Sequence, residues 1–114
     1  MSSQIYFNPS CSKCRSAQAI LDENDIEAEV VPYLDVPPSR ADLEHLMDLL
    51  GLVDPRGMMR TGEAVYAELA LEDKGPTELL DAIVDHPILL ERPIFVHDGR
   101  AVIGRPPERL LELL

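Results

Sequence analysis

Apolar and polar positions change their rhythm several times along the chain. Gln4-Ile5-Tyr6-Phe7 is a short run that stops at Asn8-Pro9. It reads as a β-strand, because proline cannot continue a central ladder. Cys14, Ala17, Ile20 and Leu21 then recur at helical spacing to about Asn24, with Ser10 placed to cap the helix start. Ile26 to Tyr33, centred on Val30-Val31, predicts a second strand. Strand, helix and strand in such a short span make a βαβ unit, whose strands pair in parallel.

From Pro37-Pro38 the pattern turns helical. Ser39-Arg40-Ala41-Asp42 resembles a capping box with Asp in the usual Glu place, and Leu43, Leu46, Met47 and Leu50 mark a helix face that Gly51 ends. Pro55 to Arg60 and Glu63 to Leu69 predict two short helices. Leu79, Leu80, Ile83 and Val84 predict another that stops at His86-Pro87. The last quarter returns to strands, Ile94 to His97 and Arg100 to Ile103, around the two-residue turn signal Asp98-Gly99. Gly104-Arg105-Pro106-Pro107 breaks the pattern, and Leu110, Leu111 and Leu114 mark one side of a closing helix. The order βαβ, helical insertion over about 37–90, ββα predicts an α/β, thioredoxin-like fold with a mixed four-stranded sheet. No repeat or low-complexity linker interrupts it, so residues 1–114 read as one domain.

Composition narrows the function. The chain has 114 residues, 46% hydrophobic and 27% charged, ordinary values for a globular protein. Aromatics are only 4%, so the core falls to Leu, Ile, Val, Ala and Met. A net charge of −11 and no basic patch argue against nucleic acid. No apolar run approaches membrane-span length, and Met1 to Gln4 lacks a signal peptide's basic start, so a cytoplasmic protein without a membrane partner is expected.

Cys11 and Cys14 are the chain's two cysteines. Two are too few for a secreted disulfide scaffold, and a close pair in a reducing compartment points to catalysis or metal. A zinc site needs four ligands, and His45, His86 and His97 are scattered, so no metal is expected. At a helix start, unpaired N–H groups and the positive dipole end favour a thiolate on Cys11. Cys14, one turn on, is placed either to form a disulfide with it or to serve as a small core residue.

Asn8-Pro9-Ser10-Cys11-Ser12-Lys13-Cys14-Arg15 resembles the N-P-x-C-x-x-[SC]-R signature of the glutaredoxin-linked arsenate reductase (ArsC) family. Tyr33 to Arg40 looks like its Y-L-x-x-P-P-[ST]-R segment, and Met58-Met59-Arg60 falls where its first anion-binding arginine stands. His86 to Ile94 is similar to H-P-x-L-[IL]-x-R-P-I, and Gly104 to Glu108 to the closing x-R-P-x-E. The resemblance implies reduction of arsenate to arsenite. It makes Cys11 the nucleophile and Arg60, Arg92 and Arg105 holders of the oxyanion and thiolate, with Arg15 in support. Asn8 and Pro9 shape the loop, and Pro93 stands where the thioredoxin fold has a cis-proline facing the cysteine. Arg40, Arg56, Arg100 and Arg109 are left as solvated surface charges.

The chain departs from the family pattern twice. Phe7 replaces a histidine common before Asn-Pro, and Cys14 stands where the best-known arsenate reductases carry serine. No bound cofactor is expected; the reductant is glutathione with glutaredoxin, or Cys14 as resolving thiol followed by thioredoxin or glutaredoxin. Cys14 also makes the chain similar to the Spx-type regulators, whose C-x-x-C is a redox switch and which bind RNA polymerase. A general thiol-disulfide oxidoreductase is the third reading.

Overall fold

The computed structural model describes residues 3–114 and divides into two compact units, one reaching Val36 and resuming at Arg92, the other spanning Pro37–Glu91. The first unit holds β1 (Ser3–Tyr6), α1 (Ser12–Glu23), β2 (Glu29–Val31), β3 (Ile94–His97) and β4 (Arg100–Ile103). Its sheet is four-stranded and mixed, in the order β2-β1-β3-β4. β1 runs parallel to β2 and antiparallel to β3, and β3 and β4 form an antiparallel hairpin. The register sets Ile5 opposite Phe95 and Phe95 opposite Val102, so three apolar side chains form one cross-strand row. Ala17 and Leu21 of α1, with Leu110 and Leu113, cover that row and complete the unit's core.

Most boundaries fall close to the expectation, and the exceptions have local causes. α1 begins one residue late, with Cys11 and not Ser10 at its N-cap. Asn8 explains the shift: its side-chain oxygen accepts from the Ser10 N–H and its carbonyl from the Cys11 N–H, which keeps Ser10 in the turn. β2 has three residues instead of the eight-residue run expected. Asp25 turns with φ 57, Ile26 and Ala28 pack on the core outside the ladder, and Pro32 has no N–H to extend it. The closing segment, Pro107–Leu113, is a 3-10 helix that buries Pro107, Leu110 and Leu113 and leaves Leu111 and Leu114 exposed. The hairpin turn is as expected: Asp98 and Gly99 both take the left-handed conformation.

The second unit is helical, with α2 (Arg40–Leu50), α3 (Ala64–Glu68), α4 (Pro76–Asp85) and short 3-10 turns at Pro55–Met58, Leu71–Asp73 and Pro87–Leu89. The capping box at α2 is present: Ser39 Oγ accepts from the Asp42 N–H at 3.1 Å, and the Ser39 N–H donates to Asp42 Oδ2 at 3.0 Å. Gly51 closes α2 at φ 71. Arg56 corrects its assignment as a solvated charge. Its guanidinium donates to the Tyr66 hydroxyl and to the carbonyls of Leu71, Glu72 and Lys74, clamping the loop before α4. Among the described residues, no helix is long and apolar enough to cross a membrane.

Candidate active site

Cys11 sits where β1 gives way to α1, 8% exposed, and Cys14 is fully buried one turn further on. Alternation along β1 turns Ile5 into the core, and the Asn8 turn then delivers Cys11 to the first N–H groups of α1. The Asn8 N–H donates to Cys14 Sγ at 3.5 Å, so one residue shapes the turn and holds the second sulfur. Pro9 presents its carbonyl to Arg15 Nη1 at 2.9 Å.

Arg92 and Arg105 come from the other end of the same unit. Arg105 Nη2 lies 3.7 Å from Cys11 Sγ, while its Nε donates to the Arg92 carbonyl at 2.7 Å, which fixes the head group. The Arg92 guanidinium interacts with both the Cys11 thiolate and the Tyr33 hydroxyl. Pro93 is buried beyond a cis Arg92-Pro93 bond, and its carbonyl accepts from the Gly104 N–H at 2.8 Å. A Cβ on Gly104 would stand 2.9 Å from Pro93 Cγ and 2.7 Å from Leu110 Cδ1, so a side chain here would force Pro93 or Leu110 to shift just before Arg105.

The two thiols titrate in opposite directions. Burial opposes charge on Cys11. It is outweighed by the Cys14 N–H, the Arg92 guanidinium, the Cys14 thiol and the Lys13 N–H, which lower Cys11 to about 7. Burial pushes Cys14 up to about 11, against the Asn8 N–H, and the neighbouring Cys11 adds to the rise. The pair therefore sets one readily ionised thiol beside one sheltered thiol that holds its proton.

The remaining arginines differ. Arg15 is exposed and bound to the Pro9 carbonyl. Arg60 belongs to the second unit, where its Nε donates to Glu63 at 3.2 Å and its Nη1 lies 3.5 Å from Glu91. Its N–H donates to the Leu89 carbonyl at 2.7 Å. Tyr33, which the sequence offers only as part of a matched segment, proves to be fully buried beside Arg92 and the cysteines. Its one sequence signal is an aromatic just past a strand end, too common to mark a site.

A thiolate at the head of the first helix of a small mixed sheet, with a second cysteine one turn on, defines a thioredoxin-like thiol protein. The chain belongs to the ArsC family, whose model matches residues 6–113. It is 47% identical to an arsenate reductase of Neisseria meningitidis serogroup A, with 97% of each chain covered. It is 48% identical to YfgD of Escherichia coli K12, an uncharacterized protein, over 97% of this chain and 95% of the other. The solved arsenate reductase of Vibrio cholerae superposes with a TM-score of 0.97 at 46% identity, covering 100% of this chain and 98% of that one.

Proposed function

We propose that the protein is an arsenate reductase in which Cys11 is the nucleophile. The observation that carries the reading is the Cys11 thiolate, lowered to about 7, with Arg105 3.7 Å from its sulfur and Arg92 beside it. Guanidinium groups suit a tetrahedral oxyanion because each offers several donors in a rigid plane. Relatives that carry the name arsenate reductase over nearly the full length support the same substrate.

The Cys11 thiolate attacks arsenic; an As–S bond forms and one oxygen leaves as water after taking up protons. A second thiol then attacks the Cys11 sulfur. An S–S bond forms, the As–S bond breaks, and its electron pair stays on arsenic, which departs as arsenite. The second thiol is glutathione, cleared by glutaredoxin, or Cys14, whose thiol faces the Cys11 sulfur and would leave an internal disulfide for thioredoxin or glutaredoxin. Arg92 and Arg105 hold the oxyanion, with Arg15 supporting the loop; Arg60 enters the proposal on its sequence match alone. A cytoplasmic setting would supply these reductants.

The test is arsenate-dependent NADPH oxidation, coupled through glutathione and glutaredoxin or through thioredoxin. Cys11→Ser should abolish turnover in both systems. Cys14→Ser should lose the thioredoxin-coupled rate; full turnover of Cys14→Ser with both reductants would remove Cys14 from the mechanism. The contact between the two sulfurs also favours a second reading, a general thiol-disulfide oxidoreductase. Reduction of a mixed glutathione disulfide, with no response to arsenate, would select it.

A further inference from the structure

Residues 32–36 turn away from β2 in a tight bend, with the Tyr33 N–H on the Val31 carbonyl and the Asp35 and Val36 N–H groups on the Pro32 carbonyl. Pro32, Leu34, Asp35 and Val36 are exposed, and Tyr33 alone is drawn inside, at 0% exposure. Its hydroxyl is buried without a hydrogen-bond partner among the described residues. As core filling this is a poor choice, since phenylalanine would occupy the space without desolvating a hydroxyl.

What lies beside the hydroxyl gives it a use. Arg92 has two buried N–H donors, at Nε and Nη1, that also lack acceptors. The same guanidinium is the group whose charge the Tyr33 hydroxyl feels most, and it reaches the Cys11 thiolate. The Tyr33 hydroxyl and the Arg92 guanidinium thus lie within interaction range of each other, yet neither the hydroxyl nor Arg92 Nε and Nη1 makes a well-formed hydrogen bond. Arg92 therefore has donor capacity to spare beside the Tyr33 hydroxyl. An oxyanion drawing on the guanidinium would engage that capacity.

We infer that Tyr33 is a positioning residue of the anion site, its hydroxyl oxygen serving as the acceptor on which Arg92 settles when an oxyanion binds. The inference rests on the anion-site reading above and adds to it the residue that aims the arginine. Burial pushes the Tyr33 phenol up to about 12, so the hydroxyl stays neutral at working pH and can accept from a cation without releasing its proton.

The experiment compares wild type with Tyr33→Phe, using inorganic phosphate and arsenate as probes. Thermal-shift titrations read anion binding without turnover, and steady-state kinetics separate KM from kcat. Tyr33→Phe should fold with unliganded stability equal to or above wild type. Its half-saturating anion concentration and its KM for arsenate should rise about tenfold, the size of one hydrogen bond to a charged group, with kcat changed far less. In an Arg92→Lys background the same substitution should add nothing, because Tyr33 acts through Arg92. Identical anion titrations for wild type and Tyr33→Phe would overturn the inference and leave the anion site standing. So would a loss of unliganded stability with an unchanged anion response. If neither anion shifts the wild type, the anion-site reading itself falls, and this inference with it.

Discussion

At Cys11 and Cys14 one kind of side chain, repeated a helical turn apart, is driven in opposite directions. Cys11 stands against the Lys13 and Cys14 N–H groups and beside two guanidinium groups; Cys14 is enclosed. Thiol alkylation followed by mass spectrometry should therefore show Cys11 modified with a midpoint near pH 7, while Cys14 in the folded protein stays protected well above it. Stability carries the same signature. Between about 7 and the ordinary thiol value of 9.0, the unfolded chain holds the Cys11 proton and the folded chain does not. Stability contributed by Cys11 is therefore fully present above 9.0 and lost as pH falls through about 7. For Cys14 the order reverses, and its contribution is lost as pH climbs from 9.0 towards about 11. Denaturant midpoints of wild type and Cys11→Ser should diverge as pH rises from 7 to 9. A constant gap across that range would contradict the lowered thiol.

Among the elements, the closing helix separates what the sequence makes plain from what it does not. The strands Ile94–His97 and Arg100–Ile103 fall where expected, because Asp98-Gly99 signals a turn whose chemistry is local. The α2 capping box is equally local. The Leu-rich end misleads because Leu110, Leu111 and Leu114 fit an α-helical stripe, whereas the segment winds with three residues per turn and buries Pro107, Leu110 and Leu113. That choice comes from docking on Ile5, Phe95 and Val102, a contact distant in sequence. The site divides the same way. Cys11, Asn8 and the arginines at positions 92 and 105 are legible in motifs, but the Gly104 approach and the Tyr33 burial depend on pairings that no short stretch displays. The two leucines give a clean measurement. Leu110→Ala should cost about 2–5 kcal/mol by denaturant unfolding, and Leu111→Ala within about 0.5 kcal/mol of nothing. Equal losses would mean the segment packs as an α-helix after all.

On the scale of the whole molecule, the proposed anion site would operate inside a protein of net charge −11. The two fields have different reach. Repulsion from exposed carboxylates spread over the surface is long-range, and salt screens it beyond a Debye length of about 10 Å at 0.1 M. Attraction at the site acts over a few ångströms, from the N–H groups of α1 and from half-buried guanidinium groups, and is screened much less. Moderate salt should therefore weaken the repulsion met on approach more than the grip at the end of it. On the arsenate reductase reading, kcat/KM for arsenate should rise about two- to threefold as sodium chloride goes from roughly 10 to 100 mM, the direction expected when steering opposes capture. The rise should vanish in variants whose surface carboxylates away from the cysteines are exchanged for amides, since these remove the repulsion and leave the site alone. A steady fall from the lowest salt upward would mean that the local arginines govern capture even at long range.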